Sequence, residues 1–413
     1  GWTVQTSGTT NGFQSVKAVS QQVAWAAGNV ATVRRTVNAG TAWTNGNPGA
    51  VISGDIYAIE AIDSSTALCT TTPATTSFIY RTTNGGATWT QVYSQAGGFI
   101  DAIRMFDANN GFAIGDPVGG RWTILRTTNG GAAWTRDTVN APVQVGSEAG
   151  WNNSLATIGN QYIWFGTSNS KVYRTTNGGT TWTSGTTAFA NSFGIGFVNQ
   201  LIGVCGSNTG ASARTTDGGA TWAAVTTPGT GAIYAVSGGG NDFYAAKGAN
   251  VLRSTDRGVN WTTSYTGAIG TLNHANFVFY GSSVSGWAVS ATGGIAGYYG
   301  TYTDVSDPRE PVVEVPQEFA LSQNYPNPFN PTTNISYALP TQATVRLKIF
   351  NLLGQEVTTL VDAPQPGGFY SVTWTGNSDA GFPVSSGVYV YRLEAKTADG
   401  KILNSLKKML LLK

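Results

Sequence analysis

Apolar residues recur along this chain in short alternating runs, each broken by Gly, Asn, Asp or Thr before the next begins. One stretch reads IYAIEAI from Ile56, TALCTT from Thr66, FIYRTT from Phe78 and WTQVY from Trp89. The following stretch gives IDAIRMF, GFAIGD, TILRTT and WTRDT. A two-residue period bounded by turn residues predicts strands, and four such runs in succession predict a small antiparallel sheet. Related openings recur as AVSQQVAWAAG, LATIGNQYIWFG, FGIGFVNQLIGVCG and IYAVSGGGNDFYAAKG.

The units share a nine-residue phrase at a fixed place. RTTNGGATW starts at Arg81, RTTNGGAAW at Arg126, RTTNGGTTW at Arg174, RTTDGGATW at Arg214 and RSTDRGVNW at Arg253, with a worn copy, RTVNAGTAW, at Arg35. The closing tryptophans Trp43, Trp89, Trp134, Trp182, Trp222 and Trp261 are 46, 45, 48, 40 and 39 residues apart. Four strands at that period predict the blades of a β-propeller. A last unit, ANFVFYGSSVSGWAVSATGGIAGYYGTYT, shows a decayed phrase and no following Trp-Thr strand. The opening GWTVQTSGTT matches TWTSGTT at 181–187, so the N-terminal strand is expected to complete that unit and close a seven-bladed ring.

Asn-Gly-Gly and Asp-Gly-Gly are hairpin-turn sequences, because Gly accepts positive φ and the Asx side chain bonds nearby backbone. The preceding Thr or Ser can add a second such bond. The spacing S/T-x-D-x-G-x-x-W resembles the Asp-box of sialidases, sortilin-type propellers and photosystem-assembly propellers. The positions that carry it are Thr82, Asn84, Gly86 and Trp89; Thr127, Asn129, Gly131 and Trp134; and Thr175, Asn177, Gly179 and Trp182. Two further sets, Thr215, Asp217, Gly219 and Trp222 and then Ser254, Asp256, Gly258 and Trp261, match it fully. The resemblance implies a structural role on turns away from the central face.

Beyond a charged, proline-bearing stretch at 304–316, expected to be a linker, the alternation resumes. Val345, Leu347 and Ile349 fall on one face of a strand with Arg346 and Lys348 on the other, and Tyr389, Tyr391, Leu393 and Ala395 share a second face. Residues 317–413 therefore predict an Ig-like β-sandwich. NYPNPFNPTTNISYALP from Asn324, NLLGQEV from Asn351, GFYSVTWTG from Gly368, SSGVYVYRL from Ser385 and KKMLLLK at the end stand in order. This series resembles the C-terminal sorting domain of type IX secretion, with Asn324, Pro326, Pro328, Gly354, Gly387 and Lys408 at motif positions. The resemblance implies passage through that machinery to the surface of an outer-membrane-bearing bacterium or its medium, after removal of a leader preceding Gly1.

Composition narrows the chemistry. Charged residues make up 11% of 413 and the net charge is +2, which gives no strong field for nucleic acid or anionic lipid. No apolar stretch reaches the roughly 20 residues that span a bilayer. Cys69 and Cys205 lie in different units and read as buried thiols. The single histidine, His274, leaves no triad or multi-histidine metal site, and no metal or cofactor is expected. Arg81, Arg126, Arg174, Arg214 and Arg253 belong to the repeated phrase and are expected at the surface or between blades. Glu60 and Asp101 occupy first-strand segments that could line the channel, as a two-carboxylate glycosidase would need. Trp25, Trp122, Trp151, Trp164 and Trp287 could stack on sugars or fill the core. Two readings follow. The first is a secreted, non-enzymatic structural protein that assembles with copies of itself through residues 317–413. The second is a propeller that binds or hydrolyses a surface glycan.

Overall fold

A computed structural model describes residues 1–302, 319–340, 343–365, 368–397 and 400–412. The expected linker, 304–316, lies outside the described residues. The chain divides into two compact units, Gly1–Val305 and Ser306–Lys413. Every regular element among the described residues is a β-strand.

The first unit is a propeller-like series of four-stranded antiparallel sheets, each taking its strands from one period of the sequence. Ile56–Ala61, Ala67–Thr71, Thr76–Thr82 and Thr90–Ala96 form one sheet in that order, innermost to outermost. Burial falls across it. Ala67–Thr71 is buried at every position, whereas Thr90–Ala96 is mostly exposed. The second strands are therefore apolar on both faces, from Cys69 and Cys205 to Trp25, Trp164 and Phe243, because neighbouring sheets cover both sides. Burial pushes both thiols far above their ordinary pKa, and they stay protonated.

Each innermost strand packs on the innermost strand of the next sheet, and Leu272–Tyr280 packs back onto Phe13–Ala18. The outer strand beside Ile295–Thr301 is Trp2–Gln5, with Trp2 opposite Tyr298 and Gln5 opposite Ile295. Trp2 anchors it: the ring meets Tyr265, Phe277 and Tyr298, and Nε1 donates to Ser264 Oγ at 2.9 Å. This pairing explains the decayed phrase. The box caps the hairpin between third and outer strands, and here those strands come from distant parts of the chain, so no hairpin joins them.

The second unit packs two sheets face to face. Ala320–Leu321, Thr333–Leu339 and Gly368–Trp374 form one; Glu356–Gln365, Ala343–Phe350, Gly387–Thr397 and Ile402–Leu411 form the other. Val345, Leu347, Ile349, Tyr391, Leu393 and Ala395 are fully buried between them with Ile335 and Trp374, as the alternation requires.

Candidate functional site

The repeated turns come first, because they hold most of the predicted residues. In the second sheet Thr82 Oγ1 donates to Asn84 Oδ1 at 3.0 Å and accepts the Gly86 N–H at 3.0 Å. Asn84 Oδ1 also accepts the Thr88 N–H at 3.0 Å. The same bonds recur around Thr127 and Asn129, Thr175 and Asn177, Thr215 and Asp217, and Ser254 and Asp256. The worn copy is geometrically whole. Thr36, Asn38, Gly40 and Ala42 make an equivalent set, so sequence decay there did not reach the bonding atoms. Gly86 has φ +87°, and a Cβ there would lie 2.2 Å from the Gly46 carbonyl oxygen of the preceding sheet. Only Gly fits.

Asn and Asp are interchangeable in these turns because the partner four residues on adapts. Asn84 Nδ2 and Asn177 Nδ2 donate to the hydroxyls of Thr88 and Thr181, at 2.8 and 2.9 Å. Asp217 Oδ2 instead accepts from Thr221 Oγ1 at 2.6 Å, and Asp256 Oδ2 from Asn260 Nδ2 at 2.7 Å. A hydroxyl can do either. Although slight burial opposes it, the bonds from Thr221 and Thr215 hold the Asp217 carboxyl down at about 2.

The box arginines tie each sheet to the next. Arg81 Nε donates to the Gly130 carbonyl at 2.7 Å, Arg126 Nη2 to Gly178 at 2.5 Å, Arg174 Nη1 to Asp217 at 2.8 Å and Arg214 Nε to Arg257 at 2.6 Å. Arg253 reaches the Thr301 carbonyl at 2.8 Å and is also bound to the Asp242 carboxylate. Each guanidinium is spent on the backbone of its neighbour. The box tryptophans Trp43, Trp89, Trp134, Trp182, Trp222 and Trp261 lie at or near the same seams. Trp89 Nε1 donates to Gly46 O at 2.7 Å, and Trp261 Nε1 to Gly258 O at 3.0 Å. Of the five tryptophans considered for sugar stacking, Trp25, Trp122, Trp164 and Trp287 are buried and Trp151 is partly exposed.

The axis is different. Strand pairing puts Lys17, Glu60, Arg104, Ala156, Gly196, Ser237 and Asn276 at one level, one from each innermost strand. Glu60, 3% exposed, bonds Lys17 Nζ at 2.7 Å and Arg104 Nη1 at 3.4 Å. Burial, then repulsion from Arg104, brings Lys17 down to about 8 despite Glu60. One level away lie Ser15, Ala58, Ala102, Gly194 and Ala235, with His274 as the single large member. His274 Nδ1 accepts the Val16 N–H at 3.2 Å; burial and then Arg104 lower its pKa to about 3, so it stays neutral. Asn153 crosses the end of the channel. Its N–H donates to Asp101 O at 2.9 Å, and its Nδ2 reaches Tyr57 O at 3.1 Å and Gln14 O at 3.3 Å. Its Oδ1 accepts from Ser15 Oγ at 3.0 Å.

The two candidate acids are thus not brought together as a pair. Glu60 faces the axis inside an ion cluster. Asp101 sits on a β-bulge between Ile100 and Ala102, 4% exposed and against Gly150. Burial, then the charge of Asp116, raises its carboxyl well above the usual range. Sequence reasoning missed Lys17 and Arg104, although both stand on the same strand position as Glu60. It also missed Asn153, whose bonding depends on three other sheets.

Solved structures resemble the first unit. YCF48 bound to D1 peptide matches with a TM-score of 0.53 and 18% identity, over 74% of this chain and 97% of that one. YCF48 from Cyanidioschyzon merolae matches at 0.52 and 16%, over 72% and 98%. The WD40 propeller domain of Doa1 matches at 0.56 and 12%, over 73% and 97%. At these identities the likeness shows the fold. Residues 326–399 match the FlgD Ig-like domain family. The C-terminal unit carries an Ig-like domain. No curated protein matches the chain.

In the Ig-like domain the motif residues stitch the proline loop to the last strand. Asn324, 2% exposed, donates its N–H to Tyr391 Oη at 2.9 Å and its Nδ2 to Thr333 Oγ1 at 2.9 Å and Pro326 O at 3.0 Å. The bonds preceding Pro326 and Pro328 are both cis. Phe329 N–H donates to Leu410 O at 3.0 Å, and Asn327 Oδ1 accepts the Leu410 N–H at 2.9 Å. Lys408 is exposed while its carbonyl accepts from Gln323 Nε2 at 2.8 Å. Gly354 (φ +77°) closes the Asn351–Gln355 turn, and Gly387 begins the strand Gly387–Thr397.

Proposed function

We propose that this chain is an exported, non-enzymatic surface protein: a seven-bladed Asp-box propeller serving as a rigid scaffold, carried by a type IX sorting domain that afterwards joins copies of the protein into an ordered polymer. The observation that carries the non-enzymatic part is the commitment of the charged groups. Glu60 is held by two cations, Asp101 is turned onto a bulge, and the repeated arginines are bound to backbone of the next sheet. The sorting role is supported by the ordered motifs on an Ig-like fold. Self-assembly is supported by the last strand, where Ile402 and Leu406 project outward, 54% and 58% exposed, from a strand paired on one side over 402–407.

Electron microscopy and sedimentation of the full chain, of the chain lacking 317–413 and of an I402K/L406K variant test this reading. Ordered polymers are expected from the full chain only. Monodisperse full chain, or polymers that persist in both variants, would overturn it. A glycan-binding reading draws on the aromatics at the bulge end of the sheets, where Phe193 stacks on Tyr234 and Trp151 meets Phe193 edge-on. Loss of glycan retention in a Y234A/W151A variant would favour that reading.

A further inference from the structure

Lys17, Glu60 and Arg104 stand at one level on three successive innermost strands, and Asn276 joins that level from the strand that packs back onto Lys17's own. His274, two residues before Asn276, projects to the same side of its strand. With Asn153, these polar side chains border a recess of about 20 Å³ that adjoins a wider axial cavity of about 210 Å³. The recess has room for one water-sized body and is too small for a phosphate or sulfate.

Acceptors around the recess are already in use. Asn153 Oδ1 accepts from Ser15 Oγ at 3.0 Å, and Asn276 Oδ1 accepts the Ala18 N–H at 2.9 Å. Glu60 is bonded to both Lys17 and Arg104. Donors are left over. His274 is 9% exposed, and its Nδ1 accepts the Val16 N–H, so the neutral ring carries its proton on Nε2. That N–H has no hydrogen-bond partner among the described residues. Arg104 gives Nη1 to Glu60, and neither its Nη2 nor Asn276 Nδ2 has a partner among the described residues.

Charge is unbalanced in the same direction. Lys17 and Arg104 are two cations against the one carboxylate of Glu60, and His274 adds no charge. Buried donors without partners are costly, and so is an uncompensated charge. Water meets neither need in full, because it is uncharged and its own hydrogens would find few free acceptors. A monatomic anion accepts from every donor, requires no acceptor and brings the centre to neutrality.

We propose that this recess binds a single halide ion, chloride in salt-containing media, held among Lys17, Arg104, Asn276 Nδ2 and His274 Nε2. The ion serves as a structural part of the ring, joining the first, third and last sheets where they meet at the axis. The proposal does not rest on export, assembly or glycan binding, since every residue involved lies in the first unit.

The single histidine makes the test direct. NMR of the untagged full-length chain, isotopically labelled at histidine, reports on His274 alone. Chloride and bromide should shift its imidazole resonances saturably, while gluconate at equal ionic strength should leave them in place. Lys17→Met removes the excess charge and should weaken chloride by at least about ten-fold, the scale of one lost charge-assisted hydrogen bond. Absence of a saturable shift would mean that the recess holds water only, and would overturn the assignment. Sulfate acting at lower concentration than chloride would overturn it too, by placing an oxyanion in the wider cavity, as would native affinity in K17M. The chloride–gluconate comparison uses native protein, so it decides the matter even where K17M fails to fold.

Discussion

The turns at the rim and the residues on the axis are built on the same strands, yet they obey opposite rules. At the rim Thr82, Thr127, Thr175 and Thr215 repeat one bonding pattern, and even the eroded copy at Thr36 keeps it. On the axis one level holds Lys, Glu, Arg, Ala, Gly, Ser and Asn in turn. A hairpin turn sees only its own strands and the next sheet, so each copy faces the same demand. Axial side chains meet one another across the channel, where identical charges would repel. Repetition therefore carries the scaffold, and departures from it carry whatever is particular to this molecule.

That contrast can be broken most severely at Glu60. Glu60→Gln leaves Lys17 and Arg104 together without a carboxylate and should cost about 3 kcal/mol, the lower end for breaking a buried pair because both cations are partly exposed. Denaturant unfolding reads it; an unchanged midpoint would mean that water already screens the cluster.

Asp101 gives the next effect, through pH. Its pKa in the folded protein is raised, so the native state keeps a proton that the unfolded chain has released. Stability from this group is whole below the unfolded carboxylate value and is lost as pH climbs through the folded one, at up to about 1.4 kcal/mol per pH unit. Asp101→Asn should flatten that slope in melts taken across the acidic to neutral range. A slope equal to native would place the titration elsewhere.

The rim should respond uniformly. Thr→Ala at 82, 127, 175 or 215 removes the hydroxyl that bridges the Asx side chain and the Gly N–H, costing about 1–2 kcal/mol at each. Thr36→Ala should cost the same despite the degenerate sequence around it. A markedly smaller loss at Thr36 would show that the worn box is strained in a way its hydrogen bonds hide.

Smallest of all is Asn84→Asp, expected within about 0.5 kcal/mol of native, since the Thr88 hydroxyl can turn from acceptor to donor. The matching Asn129→Asp has Ala133 at that place and no hydroxyl to turn, so it should be the worse of the two.

Much of the fold was legible because its signals are local. The alternation of Val345, Leu347 and Ile349 named the buried face of a sandwich strand, and the spacing of Thr82, Asn84, Gly86 and Trp89 named a capped turn. Even the last unit was legible, because GWTVQTSGTT repeats the sequence of an outer strand, and Trp2–Gln5 does pair with Ile295–Thr301. The site was far less legible. Glu60 was picked for its carboxyl and its strand, but nothing near it in sequence announces Lys17 or Arg104. Asp101 was picked because its first-strand segment could line the channel, and the bulge between Ile100 and Ala102 instead sets it against Gly150.

By itself the sequence determined the period, the strands, the turn chemistry and the two-part organisation, because these depend on residues only a few positions apart. Which charges meet at the centre, where Asn153 lies and how much space remains beside Arg104 were decided by the tertiary structure. Those contacts join residues scores of positions apart, and only the return of Leu272–Tyr280 to Phe13–Ala18 brings them around one axis.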